Sequence, residues 1–171
     1  GACTASTPTP PSVIIASPPS IAGSKASGGA SFGPQSFAIN NTQVVLVNDG
    51  VGTTTDACTG NFVNAAALAG KIALLDRGTC GFAVKVKFAQ ESGAIGVIVA
   101  DNTGGNAVAG MSGTDATITI PSLRISQNNG TAIKAALSQG AVTASLISSG
   151  VGTDSSVRWL MGEDSTGFGG A

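Results

Sequence analysis

The side chains that could perform acid–base or nucleophilic chemistry are few in this chain of 171 residues. It contains no histidine and no tyrosine, so neither a Ser-His-Asp triad nor a Cys-His pair can be built from it. The missing imidazole excludes zinc sites with histidine ligands, and three cysteines cannot supply the four thiolates of an all-cysteine zinc site. Nine carboxylates, eight basic side chains and the Ser and Thr hydroxyls remain. This inventory predicts a binding or accessory domain without catalytic residues.

Polar residues follow two apolar strand-like runs, at the points where the runs end. Arg77 follows the run 71–76 and begins a glycine-rich turn, and the polar segment 101–106 follows the run 95–100. The carboxyl ends of parallel strands meet at one edge of a sheet, and ligands favour that edge in open α/β folds. We therefore expect a peptide or other ligand to bind through Arg77, Gly78, Thr79, Phe82, Asp101 and Asn102.

Two of these features also have purely structural interpretations. The guanidinium of Arg77 could clamp a peptide carbonyl or carboxylate, or it could bond loop carbonyls or pair with Asp76. The 101–106 segment could line a groove with Arg77 and Phe82, or it could be a solvated turn.

Lys85 occupies an unexpected position, because it falls within the apolar arc of a predicted helix that contains Val84, Val86 and Phe88. A buried ammonium is costly unless it is paired. Either the aliphatic stem is buried with a solvated head, or the ammonium bonds a carboxylate or loop carbonyls and pins the edge of the sheet.

The three cysteines form an odd set. Cys3 lies in a small-residue N-terminal stretch, whereas Cys58 and Cys80 both adjoin turn residues in the folded part. A Cys58–Cys80 bridge would close a loop of about 22 residues and contribute about 3 kcal/mol in the chain-entropy model. The alternative is three buried or free thiols.

The sequence predicts no cofactor, no metal and no nucleic acid partner. It has neither a GxGxxG loop nor a Walker lysine, and the spacing of Asp101 and Asp115 is not that of an EF-hand. The net charge is −1, without the basic clusters that phosphate contacts require. No apolar run approaches the 18 residues of a membrane-spanning helix. Only 10% of the residues are charged, and a surface rich in Gly, Ser, Thr and Asn favours a secreted, extracellular protein.

The pattern of apolar runs and turns predicts an α/β domain. The runs 71–76 and 95–100 are apolar on both faces, and the 77–94 link is long enough for a helical crossover between parallel strands. Other predicted strands are 13–16, 36–39, 43–47 and 141–147, with a second helix capped by Ser126 and a loop over 22–34.

Three segments are predicted along the chain. Residues 1–12 are expected to be a linker or leader remnant, because they are rich in Pro, Ser and Thr. Residues 13–147 form the domain, and residues 148–171 form a C-terminal extension toward an absent parent segment.

Several short blocks within residues 36–147 occur in an order that is typical of one known family. They are Gly70–Gly78, Cys80-Gly81-Phe82, Lys85, Ala89, Gly93-Ala94, Gly96–Ile98, Ile120–Leu123 and Ile125-Ser126, with Asp56–Cys58 upstream. This pattern resembles the protease-associated (PA) domain. The resemblance implies an α/β fold with an open sheet or partly closed barrel of mixed strands and flanking helices. It also supports the Cys58–Cys80 pairing.

The resemblance implies a noncatalytic peptide- or protein-binding module, excised from a larger secreted peptidase or other extracellular hydrolase. Its partner would be a peptide or protein segment, with the catalytic domain of the parent protein as one candidate. Two alternatives stay open: an architectural or oligomer-contact domain without a ligand, and a stand-alone hydrolase that uses paired carboxylates.

Overall fold

The computed structural model of the chain describes residues 8–151. Its elements, in chain order, are β1 (Pro8–Thr9), β2 (Ser12–Ser17), a 3-10 turn (Pro19–Ile21), β3 (Gly23–Gly29), β4 (Ala38–Leu46), α1 (Ala65–Leu68), β5 (Ile72–Asp76), α2 (Phe82–Glu91), β6 (Gly96–Ala100), β7 (Ser122–Ile125), α3 (Gln127–Leu137), β8 (Thr143–Ile147) and β9 (Gly150–Val151). The strands β2 to β8 belong to one unit, Pro11–Ser148, while β1 and β9 pair antiparallel with each other in a separate unit.

Seven strands close into a barrel in the order β2-β3-β7-β6-β5-β4-β8. The pairs β4–β5, β5–β6 and β6–β7 are parallel, and the other neighbours are antiparallel. The predicted α/β fold of mixed strands with flanking helices is thus confirmed, including the parallel pair β5–β6 that the helix α2 connects. The sheet is fully closed, rather than open or partly closed.

The two central strands are buried on both faces, as their continuous apolar sequences predict. Along β5, Ile72 and Leu74 join a cluster inside the barrel, while Ala73 and Leu75 join a second cluster that packs against α2. Successive side chains of a strand point to opposite faces, so each strand serves both clusters. Because both faces of β5 and β6 are buried, exposed polar residues can follow only where these strands end.

The prediction of a loop over residues 22–34 was wrong for its first half, which forms β3. Its sequence, GSKASGG, lacks the branched side chains typical of strands. Pairing with β2 and β7 nevertheless holds it in the barrel. A Cβ on Gly28 would lie 2.0 Å from the carbonyl oxygen of Ala109, so the small residues of β3 allow the 107–111 segment to lie directly on the strand.

Most of the other predicted elements are found, with two corrections. The runs 36–39 and 43–47 form the single strand β4, whose pairing with β8 shifts register between Ile39 and Thr42. On α2, Val84 was expected in an apolar stripe, but its side chain is 44% exposed. The predicted Ser126 cap of α3 is confirmed, because its side chain accepts a hydrogen bond from the N–H of Asn129.

Two predictions fall partly on residues that the structure does not describe. The predicted terminal segments 1–12, which includes Cys3, and 148–171 lie mostly outside residues 8–151. Among the helices within that range, none combines the length and apolar character required to cross a membrane.

A substitution at Gly130 tests how closely α3 approaches the barrel. A Cβ added there would lie 2.5 Å from the Cβ of Ala100 on β6. We expect Gly130→Ala to lower the free energy of unfolding by about 2 kcal/mol through overpacking, although alanine normally favours a helix by about 1 kcal/mol over glycine. Chemical denaturation measures the effect.

Gly140→Ala is the matched control, because a Cβ at Gly140 meets nothing within 4 Å. We expect its stability to stay within about 1 kcal/mol of the wild type. A Gly130→Ala protein as stable as the Gly140→Ala protein would show that α3 does not pack this closely.

Candidate functional site

An open cleft of about 340 Å³ lies where β5, β6 and the first turns of α3 meet. The strands contribute their carboxyl ends, as the sequence predicts for a ligand site. Five of the six predicted ligand-binding residues line it, and Phe82 does not. The lining residues are Thr53, Asp56, Asp76, Arg77, Gly78, Thr79, Ala100, Asp101, Asn102, Gln127, Thr131 and Lys134.

Arg77 is an exposed side chain in the wall of this cleft. Its Nη1 donates to Oδ1 of Asn102 at 3.2 Å, and its backbone N–H donates to the carbonyl of Ala100 at 2.9 Å. The expected alternative of a pair with Asp76 is not found. Both carboxylate oxygens of Asp76 instead accept from Nζ of Lys134, at 2.6 and 2.7 Å.

The turn after Arg77 has a backbone that favours glycine. Gly78 has a φ of 123°, and Thr79 has a φ of 73° in the left-handed region that non-glycine residues seldom adopt. The N–H of Cys80 donates to the carbonyl of Gly78 at 2.8 Å, which closes a three-residue turn. A Cβ on Gly78 would lie 3.1 Å from Nδ2 of Asn102, so glycine also leaves room for the side chain that holds Arg77.

Lys85 explains how this turn is held, because its side chain is fully buried beneath it with 0% exposure. Its Nζ donates to the carbonyls of Asp56 and Gly78, each at 2.5 Å, and lies 3.4 Å from Sγ of Cys58. The prediction that Lys85 bonds loop carbonyls is confirmed, and the snorkelling alternative is wrong. An ammonium has three donors, and all three have an acceptor here.

The predicted disulfide between Cys58 and Cys80 is confirmed, with a Cα–Cα distance of 5.8 Å. It joins the same two loops that Lys85 bridges. The loop before β5 and the loop after it are therefore connected both covalently and through one buried cation.

The carboxylate of Asp56 lies in the same buried network and completes its electrostatics. Burial alone would raise the pKa of Asp56, but hydrogen bonds from the N–H of Cys58 and from Thr79, together with the charge of Lys85, hold it below its usual value. Burial lowers the pKa of Lys85, and the charges of Asp56, Asp76 and Asp49 oppose that shift. The charge of each group therefore favours the ionised form of the other.

Asp101 and Phe82 are brought together by Arg124, a residue that the sequence reasoning did not select. The guanidinium of Arg124 on β7 bonds both carboxylate oxygens of Asp101, at 3.0 and 3.1 Å. It also lies 5.2 Å from the ring centroid of Phe82, the first residue of α2, which packs against the core. The expected groove formed by Arg77, Phe82 and the 101–106 segment is thus divided, because Arg124 covers Phe82. Its one sequence signal was a charge within the extended apolar segment 118–125.

Residues from α3 complete the cleft and were also missed. Besides Lys134, they include Gln127, whose Nε2 donates to the carbonyl of Asn102 at 3.1 Å, and Thr131. The signal available was the Ser126 cap, which places the first turn of α3 directly after β7 and so at the same edge of the sheet. Within residues 8–151, no group of three or more Cys, Asp or Glu side chains is placed to hold a metal ion.

Comparison with known proteins gives a consistent result. Residues 41–133 match the sequence model of the PA domain family, which is more than half of the chain. The chain is 32% identical over 103 residues to the minor extracellular protease Vpr of Bacillus subtilis (strain 168), covering 60% of this chain but only 12% of that protein.

Solved structures share the fold at lower sequence identity. The aminopeptidase from Aneurinibacillus sp. strain AM-1 aligns with a TM-score of 0.59 and 24% identity, over 85% of this chain and 32% of its own. The psychrophilic subtilisin-like protease Apa1 from Pseudoalteromonas sp. AS-11 aligns with a TM-score of 0.54 and 20% identity, over 87% of this chain and 34% of its own. The chain therefore spans about a third or less of the length of these relatives.

Removing the buried cation should damage the stability of the domain far more than removing an exposed one. We expect Lys85→Met to lower the free energy of unfolding by about 3 kcal/mol, because it leaves the carbonyl of Asp56 without its donor and removes the positive charge that favours the ionised Asp56 carboxylate. Lys87→Met, two positions along α2, removes a bond to Thr117 at an exposed site and should cost less than about 1 kcal/mol. Chemical denaturation compares the two, and equal losses would contradict the role assigned to Lys85.

The lowered pKa of Asp56 gives the domain a defined sensitivity to acid. The ionised carboxylate contributes stability that is present above its usual value of 3.8 and is lost as the pH falls through the lower value of the folded state. We expect Asp56→Asn to be less stable than the wild type at neutral pH and to lose less stability between about pH 4 and about pH 2. Unfolding curves across this range measure the difference.

Glu91→Gln removes an exposed carboxylate at the end of α2 and controls for the change in net charge. A wild type and an Asp56→Asn variant with parallel pH profiles would show that Asp56 carries no such linkage.

Proposed function

This chain belongs to the PA domain family, and we propose that it is a noncatalytic accessory module that binds an extended peptide or protein segment for a larger secreted peptidase. The observation that carries the proposal is the polar cleft at the carboxyl edge of β5 and β6, with Arg77 exposed in its wall. The residues we assign to ligand binding are Arg77, Gly78, Thr79, Asp101 and Asn102.

The groups around the cleft support a binding role over a catalytic one. The sequence supplies no histidine base. Two of the three carboxylates that line the cleft are held in ion pairs, Asp76 with Lys134 and Asp101 with Arg124, and the third, Asp56, accepts from the N–H of Cys58. A hydrolase with paired carboxylates needs one protonated and one free carboxyl on either side of the bond that it cleaves, and these ion pairs argue against that alternative.

A peptide ligand is supported by the groups that the cleft presents. Its walls offer the Arg77 guanidinium, threonine hydroxyls and the backbone of the 78–80 turn. These are donors and acceptors that suit an extended chain, whose own N–H and C=O groups are unpaired. The Cys58–Cys80 disulfide and Lys85 hold the rim of the cleft in place, which is formed by the loops around Asp56 and Gly78. A rim that is already ordered lowers the ordering cost of binding.

The context of a secreted peptidase is supported by the relatives. The Bacillus subtilis relative is named as an extracellular protease, and the solved structures that share the fold are peptidases several times longer than the matched region. The disulfide also suits an oxidising compartment. We propose that residues 1–12 and 148–171 connect the 13–147 domain to the rest of such a protein.

An architectural contact is the second candidate function, and exposed apolar side chains favour it. Val63 is 69% exposed and Val51 is 55% exposed, on the loop that precedes β5. The loop brings them close together, because a Cβ on Gly50 would lie 2.8 Å from Cγ2 of Val63. Such a patch would suit a contact with another domain rather than with a soluble peptide.

Binding of a peptide library to the full chain tests the proposal. We expect weak affinity, in the micromolar to millimolar range, with NMR shift changes at Gly78, Thr79 and Asn102. Arg77→Ala should abolish these changes, whereas Lys71→Ala, at the opposite end of β5, should not alter them. Hydrolysis of the same peptides should be absent.

Two results would contradict the proposal. Shift changes confined to Val51, Val63 and their neighbours, or no change at millimolar peptide, would favour the architectural role. Turnover that survives repurification and is lost when one carboxylate is replaced would indicate an enzyme.

A further inference from the structure

We infer that the cleft recognises a carboxylate group, supplied by an acidic side chain or by the C-terminus of the bound peptide. This inference rests on the proposed function, because it names the chemistry of the ligand at that same site. It follows from the balance of charges around the cleft and from the way Arg77 is held.

Two of the three acidic side chains that line the cleft are paired with a cation from another element. Asp76 pairs with Lys134 of α3, and Asp101 pairs with Arg124 of β7. The third, Asp56, accepts a hydrogen bond from the N–H of Cys58 at 3.1 Å, in the loop whose backbone carbonyl at Asp56 binds the buried ammonium of Lys85. The acids therefore neither repel an incoming anion strongly nor remain free to bind a cation.

Two cations line the cleft, and Arg77 is the one without a carboxylate partner among the described residues. Among residues 8–151 its guanidinium has one hydrogen bond, to the neutral side chain of Asn102, and no ion pair. The nearby buried acid Asp49 does not line the cleft, and its Oδ1 accepts from the N–H of Val51. An exposed guanidinium without a carboxylate partner, in a concave polar site, attracts an anion from outside.

The orientation of Arg77 suits a carboxylate in particular. Asn102 holds Nη1, which leaves the N–H groups of Nε and Nη2 for a bidentate contact. Asn102 is itself fixed, since its carbonyl accepts from Gln127, whose Oε1 accepts from the N–H of Gly105 at 3.2 Å. The donor fork is thus held in place before a ligand arrives, and a planar carboxylate matches its geometry.

An apolar anchor is not what this cleft provides. Phe82, the one aromatic side chain expected at the site, lies under Arg124 and outside the lining. A cleft of about 340 Å³ is also at the small end of ligand sites. The selectivity of the cleft therefore comes from charge and hydrogen bonding.

Three blocked pentapeptides test the inference on the full chain by NMR titration at low salt. The probes are acetyl-Ala-Ala-Glu-Ala-Ala-amide, the same peptide with Gln in place of Glu, and acetyl-pentaalanine with a free C-terminus. We expect the Glu peptide, the free acid or both to bind about tenfold more tightly than the Gln peptide. Preference for the first indicates a side-chain carboxylate, and preference for the free acid indicates the C-terminus.

Variants of the chain assign the preference to the donor fork. Arg77→Lys keeps the charge but loses the bidentate geometry, so the preference for the acidic peptides over the Gln peptide should fall several-fold. Lys71→Gln changes the net charge at the opposite end of β5 and should leave the preference intact. Raising the ionic strength should weaken binding of the acidic peptides and not of the Gln peptide.

The failures of the two proposals are distinguishable. Equal affinity for the Glu, Gln and free-acid peptides would overturn carboxylate recognition and leave peptide binding in place. If no peptide binds at millimolar concentration, both proposals fail.

Discussion

The rim of the cleft depends on the buried ammonium of Lys85. Two loops that are distant in sequence place their carbonyls, those of Asp56 and Gly78, against the same nitrogen. A backbone carbonyl without a partner is costly when buried, and neither loop can form these bonds with a strand neighbour because both have left the sheet. The Cys58–Cys80 disulfide joins the same loops but supplies no donor. The covalent link and the cation therefore act differently: one limits the separation of the loops, and the other satisfies their backbone and fixes their orientation.

Ion pairs between different elements organise the rest of the carboxyl edge. A polar edge has to exist, because β5 and β6 are apolar on both faces along their length and the chain must leave the sheet where they end. Asp76 pairs with Lys134 of α3, and Asp101 pairs with Arg124 of β7, so the edge is bonded to two elements that follow β6 in the sequence. The Asp76–Lys134 pair also orients α3, whose close contact with β6 at Gly130 leaves no room for a larger residue. The cleft is the space that remains between these fixed elements.

The parts of the fold that were predictable from sequence are those with local signals. Continuous apolar runs identified β5 and β6, the Ser126 cap identified the start of α3, and the position of Lys85 on the α2 wheel indicated a buried lysine with partners. The strand β3 was missed because it lacks strand-forming residues, and its pairing with β7 depends on a segment about a hundred residues away. Arg124 and Lys134 were missed for a similar reason. Their acidic partners lie 23 and 58 residues away, so only the closed barrel shows which charges are matched and which one is left over.

A rigid, shallow and mostly charge-matched cleft has a consequence for how such a domain works inside a longer chain. For the proposed peptide binding, little side-chain ordering is required, because Arg77, Asn102 and Gln127 are already connected. Little surface is buried either, so we expect the affinity for a free peptide to be low. Low affinity is sufficient when the ligand is held nearby. A domain tethered to a catalytic domain meets a bound substrate, or a segment of its own parent, at an effective concentration that reaches the millimolar range. In the role proposed above, one additional carboxylate contact would then determine which segments stay engaged and which are released, without slowing release as a tight site would.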